Sequence, residues 1–270
     1  MIPQIHKLGE PRKVDQNARV AEIYRYPVKG LSPERLESAE LRPGETILFD
    51  RHYAIENGKG RFDPSTPRYL PKINFLMLMR NERLAALQTV FDPDTHHLTI
   101  LRNGAQVARG NLKTRLGRQI IEQFMAAYLG DELRGAPRIV QATGHSFSDV
   151  AAKCIHLVNL ATVDEVGRLT GRTIDPMRFR ANIYFDGLAP WKEFDWIDQK
   201  IEIAGAQLKV FARTERCAAT NVDPSSGARD LAIPATLMRS LGHSDVGIYA
   251  SIETGNTIRP GDTLNLVGTD

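Results

Sequence analysis

The sequence holds only two cysteines, Cys154 and Cys217, among 270 residues. Two thiols are too few for a disulfide scaffold, and no CxxC pair offers a zinc or iron–sulfur site. The seven histidines are scattered, with no HExxH and no paired metal spacing. No apolar run approaches the roughly 18 residues of a membrane helix, so no membrane span is expected. The N-terminal stretch lacks a continuous apolar core, which argues against a signal peptide; residues 1–18 read as a flexible lead-in. A reducing, cytoplasmic setting is the default, and a single free thiol is easier to keep there. Charge of either sign is in short surplus: 35 basic against 32 acidic residues, net +3. A nucleic-acid binder would concentrate basic residues on one face, so nucleic acid is not an expected partner. An anionic small ligand fits the balance at least as well. The 42% hydrophobic and 25% charged content is that of an ordinary globular protein. No internal repeat or low-complexity linker is visible, so two intimate halves are expected rather than beads on a string.

What is present is mostly strand signal. Residues 19–26 alternate until Pro27. Residues 36–41, 46–56, 87–91, 97–101 and 106–108 read as further strands, separated by Pro43-Gly44, Asn57-Gly58, Asp92-Pro93-Asp94 and Asn103-Gly104. One helix interrupts them. Leu116, Ile120, Phe124 and Tyr128 lie four apart, with Ile121 and Met125 beside them, an apolar stripe that Gly130 ends. Beyond Gly135, strands are expected at 138–142, 155–158, 180–185, 200–203, 208–213, 248–253 and 264–267, with helices at 162–169 and 235–241. The fold class is α+β and mostly β, a β-barrel core in each half, with the boundary between residues 110 and 145. As domains, 19–135 and 136–270 follow the lead-in.

Cys217 is the residue with the most chemistry around it. Arg213 and Arg216 precede it and Arg229 follows. Nearby cations stabilise a thiolate, the form a soft metal or a nucleophilic reaction needs. The turn signal Asp223-Pro224-Ser225-Ser226-Gly227 places Cys217 where a strand leaves the core. Cys154, in an apolar strand, reads as a small buried hydrophobe. Residues 144–149 (GHSFSD) read as a loop that could cover a site.

The run Arg216-Cys217-x-x-Thr220-x-Val222-Asp223-Pro224-x-x-Gly227 resembles the signature of the MOSC family. Tyr26-Pro27-Val28-Lys29-Gly30 with Asp50-Arg51 resembles the N-terminal β-barrel domain that accompanies MOSC domains. Phe179-Arg180-Ala181-Asn182-Ile183, Gly247-x-Tyr249 and Thr257-Ile258-Arg259-Pro260-Gly261-Asp262 follow in the family's order. The chain is similar to bacterial MOSC reductases and to the mitochondrial amidoxime-reducing component. The resemblance implies an N-terminal β-barrel domain packed on a MOSC-type β-barrel with a few helices. It further implies a molybdenum cofactor, a pyranopterin dithiolene with Cys217 as protein ligand to the metal and as the catalytic residue. Lys29, Arg51 and Arg180 would supply charge to its phosphate. Asn182 would pair with the pterin edge, and alternation along a strand would put it on the face of Arg180. Asn159 and Thr162, at a strand–helix junction, would offer polar groups beside a helix N-terminus. Thr220 would orient the loop behind Cys217, and Tyr249 would lie near the metal.

The activity implied is an oxidoreductase that reduces N-hydroxylated or N-oxide small molecules. No CxxxxCxxC run follows the last motif, so electrons are expected from a separate protein of ferredoxin, flavodoxin or cytochrome type. Where amidoxime-reducing relatives carry a hydroxyl residue, this chain has Gly30. Two rival functions stand beside this one. A non-catalytic carrier would hold the cofactor, or a persulfide sulfur on Cys217. A cysteine hydrolase would need a histidine near Cys217, with His145 and His243 as candidates.

Overall fold

The computed structural model describes residues 18–58 and 60–267. The proposed lead-in, residues 1–18, lies outside them except for Ala18. In chain order the strands are β1 (Ala18–Arg25), β2 (Glu34–Leu36), β3 (Ala39–Glu40), β4 (Ala54–Glu56), β5 (Gln88–Phe91), β6 (His97–Arg102), β7 (Ala105–Asn111) and β8 (Arg138–Val140). They continue as β9 (Ile155–Asn159), β10 (Ile183–Asp186), β11 (Lys200–Ile203), β12 (Ala206–Glu215), β13 (Asp245–Thr254), β14 (Thr257–Ile258) and β15 (Thr263–Leu266). Among the described residues three α-helices accompany them: α1 (Arg115–Leu129), α2 (Leu160–Thr170) and α3 (Ile233–Leu241). The fold is mostly β, as expected.

The larger sheet runs β10-β9-β13-β12-β11-β15-β1-β2, and a further β10–β1 pairing closes its first seven strands into a barrel. Closure leaves no unpaired edge among those strands. The period-2 burial of β11 and the first half of β12 sends Ile201, Ile203, Leu208 and Val210 inward, against Ile23, Leu157, Phe185 and Ile248. Strand β1 is the first described element, yet it pairs with β10 and β15 near the chain's other end. A second tie joins β3 to β14, and β4 pairs with β8. The two halves are therefore stitched by backbone hydrogen bonds.

The three-stranded sheet β5-β6-β7 packs on α1 around a separate core. The expected stripe on this helix is shifted toward its Ile121, Met125 and Tyr128 edge. Leu116 is 69% exposed, and the buried face is Gly117, Ile121, Met125, Tyr128 and Leu129. The cause is a close backbone approach: a Cβ on Gly117 would sit 2.2 Å from the Asn111 carbonyl oxygen. Only glycine lets α1 lie that near β7, and the contact sets which face turns inward.

Two expected strands are shorter in the structure, and both changes shape the site. Of residues 46–56 only 54–56 are strand. Ahead of them Phe49 and Arg51 take left-handed φ values of 65° and 48°, and the Asp50 carboxylate accepts from the Tyr26 backbone N–H (2.9 Å). Of residues 180–185 only 183–185 are strand. Arg180 instead ends a tight turn, Pro176–Phe179, at φ 53°. The expected alternation of Arg180 and Asn182 along one strand does not exist. Left-handed φ is uncommon for a long side chain and concentrates at functional positions. Here it aims two arginines at one place.

Candidate functional site

Strand β12 ends at Glu215. The Arg216 N–H then donates to the Ser244 carbonyl (3.1 Å), and Cys217 opens a turn over Ala218–Asn221. The Thr220 hydroxyl donates back to the Cys217 carbonyl (3.0 Å), which fixes the turn behind the sulfur. Arg178 clamps the loop from the other side. Its guanidinium donates to the Thr220 carbonyl (3.4 Å) and pairs with Asp223 (3.2 Å) and Asp230 (2.8 Å). Asp223 shapes the loop as well. Burial pushes its carboxyl up, but hydrogen bonds from Ser225 and Ser226 outweigh that and hold it at about 2. Arg229 carries the loop across to the other half, donating to the Met79 carbonyl (2.7 Å) and pairing with Glu82 (2.9 Å).

Cys217 is half-buried and borders a cavity of about 360 Å³ between the two halves. Lys29, Arg51, Arg180, Asn182 and Tyr249 border the same cavity. Among its walls, seven lysines and arginines face three carboxylates. Arg51 pairs with Asp50 (2.6 Å) and donates to the Arg180 carbonyl (3.0 Å). Burial pushes its guanidinium down, but Asp50 and Tyr26 oppose this and raise it overall. Arg51 and Arg180 both lie over the Tyr26 ring, 4.5 Å and 4.3 Å from its centroid. Lys29 is buried, donates to the Phe147 carbonyl (2.9 Å) and pairs with Asp149. Burial outweighs that carboxylate and lowers the lysine below its ordinary value.

Sequence reasoning did not single out Asp149 and Lys72, which complete this wall. Asp149 ends the loop at 144–149. Burial pushes its carboxyl up, but Lys29 and Lys72 dominate and hold it well below the usual carboxylate range. Lys72 reaches Asp149 (3.5 Å) and borders the same cavity as Cys217. Burial pushes its ammonium down; Asp149 and the sulfur prevail and raise it. The cluster of Ser146, Ser148 and Asp149 hinted at the first residue. A lysine after Pro71 carried no signal for the second.

His156 lies at the back of the cavity, its ring 5.3 Å from that of Tyr249. Burial, reinforced by Arg216 and Arg51, drives its imidazole well below the ordinary value, so it is neutral at pH 7. Arg216 Nη1 lies 3.3 Å from His156 Nε2. A guanidinium can only donate, so Nε2 accepts and the ring proton sits on Nδ1.

Asn159 and Thr162 go elsewhere. Both are fully buried and turn away from the cavity toward Glu193. Asn159 caps α2, accepting from the Ala161 N–H (3.1 Å), and donates to Glu193 (3.2 Å). The Thr162 hydroxyl donates to the same carboxylate (2.8 Å) and accepts from the Trp191 N–H (2.9 Å). The helix N-terminus is thus closed off by a side chain of the protein itself. Burial pushes the Glu193 carboxyl up to about 7, against the hydrogen bonds from Thr162 and Asn159. A raised folded-state value means stability that is whole below the unfolded value near 4.5 and is lost as pH rises through about 7. Glu193→Gln is expected to flatten the fall in melting temperature between pH 4.5 and 7 and to melt higher than the parent at pH 8. A fall as steep as the parent's would assign the pH dependence to another group.

The candidate hydrolase histidines are not beside the thiol. His145 packs on Phe62 and Phe147, and His243 on Trp191 and Phe194; neither borders the cavity.

A molybdenum pyranopterin can be tested against these side chains. Among the described residues, no group of three or more His, Cys, Asp or Glu could hold a bare metal ion. Two cysteines border the cation-rich wall, and Cys217, half-buried where Cys154 is 5% exposed, offers the accessible soft sulfur. That donor set suits a metal that arrives with most of its ligands and with negative charge of its own. Arg180 and Arg216 donate to backbone carbonyls, of Leu31 (2.8 Å) and Phe179 (2.7 Å), rather than to carboxylates. Arg178 Nε and Arg216 Nε are buried without a hydrogen-bond partner. Charge and donors left over in this way favour an anionic guest. The residues fit the group.

The fold is mostly β, and its cation-rich cavity carries one half-buried thiol, Cys217. Residues 17–132 match the MOSC N-terminal beta barrel domain, and residues 142–265 match the MOSC domain. The chain belongs to the MOSC-domain proteins that carry this N-terminal domain. The MOSC family is associated with molybdenum cofactor binding. Solved structures similar to the chain include the YuaD protein from Bacillus subtilis, at 11% identity and a TM-score of 0.44, over 94% of this chain and 97% of that one. YiiM from Geobacillus stearothermophilus matches at 18% identity and 0.34, over 42% and 54%. YiiM from Escherichia coli matches at 19% and 0.33, over 43% and 55%. No curated protein matches the chain. No helix of the described residues is long and apolar enough to cross a membrane.

Proposed function

We propose that this chain binds a molybdenum cofactor through Cys217 and reduces N-hydroxylated or N-oxide small molecules with electrons from a separate redox protein. The observation that carries this reading is the single cavity shared by Cys217, Lys29, Arg51 and Arg180, drawn from both halves of the chain. When bound, the cofactor supplies two-electron redox chemistry at its metal. The protein's part is to hold and shape. Cys217 provides the soft ligand. Lys29, Arg51 and Arg180 neutralise the phosphate. Asn182 is less free than the sequence suggests, because its side chain already accepts from the His156 N–H (3.1 Å) and donates to the Tyr24 carbonyl (3.2 Å). Its role is to hold β1, β9 and the Arg180 turn in register beside the cavity. Tyr249 and Phe211 stack, ring centroids 6.2 Å apart, as an aromatic wall. Burial raises the Tyr249 hydroxyl above its ordinary value, so it stays protonated and can donate to a ligand.

The test is direct. Protein made in a host that synthesises the cofactor is assayed for molybdenum and pterin, then for donor-coupled reduction of hydroxylamine and of an amidoxime. Near-stoichiometric metal with turnover is expected. Metal without turnover would leave a cofactor carrier. Labile sulfur on Cys217 without metal would leave a sulfur carrier and overturn the proposal.

A further inference from the structure

Residues 148–153 form a strap along the cavity, tied at both ends and loose between. Phe147, 3% exposed, packs on Phe62 and Phe75, and Cys154, 5% exposed, leads into β9. Between these anchors the chain makes no helix or strand, and Asp149, Ala151 and Ala152 are exposed. A segment with few buried contacts opens at small cost. Ser148, Asp149 and Val150 nevertheless border the cavity. Side-chain contacts hold the strap down. The Asp149 carboxylate pairs with Lys29 and, at 3.5 Å, with Lys72. The Tyr69 hydroxyl donates to the Asp149 carbonyl (2.9 Å), and Lys153 pairs with Glu45 (2.6 Å). Within the inner ion pair, the Lys29 side chain is 7% exposed and the Asp149 side chain 46%. The carboxylate is thus the outer member, and it already takes up the charge that an anionic guest needs. An anion that is to use Lys29 and Lys72 has to displace it.

We infer that Asp149 is a latch: it occupies the two lysines in the empty protein, and a phosphate dianion entering the cavity displaces it and swings the strap outward. The inference rests on the anionic guest of the function proposed above and adds the way its entry is controlled. Charge favours the exchange. Two ammoniums face one carboxylate here, so this part of the wall carries +1 with the latch shut and +2 with it open. A phosphate monoester brings about −1.5 to −2 at pH 7. It matches the open wall, pairs with both ammoniums and releases the carboxylate to water, so no buried charge is left unpaired. A monoanion such as acetate replaces the carboxylate like for like and gains nothing. The latch therefore keeps singly charged anions off Lys29 and yields to a doubly charged one.

Two measurements decide. Calorimetry at pH 8 and constant ionic strength follows inorganic phosphate binding to the metal-free full chain, as parent, Asp149→Asn and Tyr69→Phe. A latch shut in about nine molecules of ten reduces apparent affinity about tenfold, so Asp149→Asn should bind roughly tenfold tighter. Tyr69→Phe keeps every charge and removes only the clasp on the strap backbone; it should bind about two- to fivefold tighter. It carries the test if Asp149→Asn, with Lys29 left buried beside a neutral amide, fails to fold. Limited trypsin digestion reads the strap in the parent itself. Cleavage after Lys153, next to the buried Cys154, should quicken when phosphate is added and not when acetate is, because cleavage tracks the open population. Variants that bind phosphate no tighter than the parent overturn the latch, and so does cleavage that is unchanged or slower with phosphate. Either result leaves the reductase reading standing, since molybdenum loading and turnover decide that on their own. No phosphate binding by any form overturns the latch together with the anion site on which that reading rests.

Discussion

Cys217→Ser is expected to bring molybdenum in the purified protein to background and to lose turnover by more than roughly 100-fold, with the melting temperature unchanged. The two outcomes separate for a physical reason. The fold uses the backbone of Cys217, not its sulfur: its carbonyl accepts from the Thr220 N–H and hydroxyl, both at 3.0 Å. Serine keeps that carbonyl. The side chain is half-buried at the head of a loop that Arg178, Asp223 and Arg229 hold independently. Such a substitution shifts stability by about 0.5 kcal/mol or less. A serine hydroxyl, by contrast, is a hard and weakly acidic donor that replaces a soft thiolate poorly. Losing an outer partner of a metal ligand costs roughly 10–100-fold, and losing the ligand costs more. Inductively coupled plasma mass spectrometry reads the metal, and calorimetric melting reads the fold. Full metal loading in the serine variant would remove Cys217 from the coordination sphere. A large drop in melting temperature would make the sulfur structural.

The contrast with Cys154 sharpens this expectation. Burial pushes the Cys154 thiol up to about 12, with Arg51 opposing, and the residue is 5% exposed. Iodoacetamide at pH 8 should therefore label Cys217 in the metal-free protein and spare Cys154, because the thiolate is the reacting form and access limits the rest.

Local pattern made much of this molecule legible. Alternation marks the barrel strands at residues 200–203 and 208–213, since one face of each is core. The family resemblance, not the local pattern, groups Cys217 with the cations at 29, 51 and 180, and all four border one cavity. What stayed hidden is non-local. Nothing in residues 18–25 reveals that their partners are at 183–186 and 263–264. Alternation also misled at Arg180, because a positive φ after Pro176–Phe179 breaks the strand and turns the side chain by another route. Asn159 and Thr162 are assigned to the cofactor by the family resemblance, at a strand–helix junction. Their true partner, Glu193, lies more than thirty residues on, and a buried carboxylate there looks no different in sequence from a surface one. The shifted face of α1 follows from Gly117, which an apolar count does not weigh.

Gly247→Ala is expected to destabilise the protein by about 3 kcal/mol or more, the largest effect of any one-carbon change near the cavity. Gly247 has φ +82°, which alone costs an L-residue about 1–2 kcal/mol. Its missing Cβ would also lie 2.4 Å from the Leu157 carbonyl oxygen, 2.7 Å from a Val158 methyl and 2.8 Å from His156 Nε2. The first is backbone of β9, locked by the Ile248–Leu157 pairing inside a closed barrel, so it cannot retreat. Gly242→Ala supplies the comparison. That residue ends α3 at φ +77° with open space where a Cβ would go, so its variant carries the dihedral strain without the clash. Chemical denaturation should place the Gly242 variant about 1–2 kcal/mol below the parent and the Gly247 variant well below that. The excess is the steric cost of pressing β9 and β13 apart. It falls on the site as well, because His156 Nε2 is the atom facing Arg216 at 3.3 Å. Whatever folded Gly247→Ala protein can be recovered should therefore hold less molybdenum than the Gly242 variant. Equal stability of the two would mean that the barrel yields at His156 and Leu157, and the steric account given for Gly247 would be wrong.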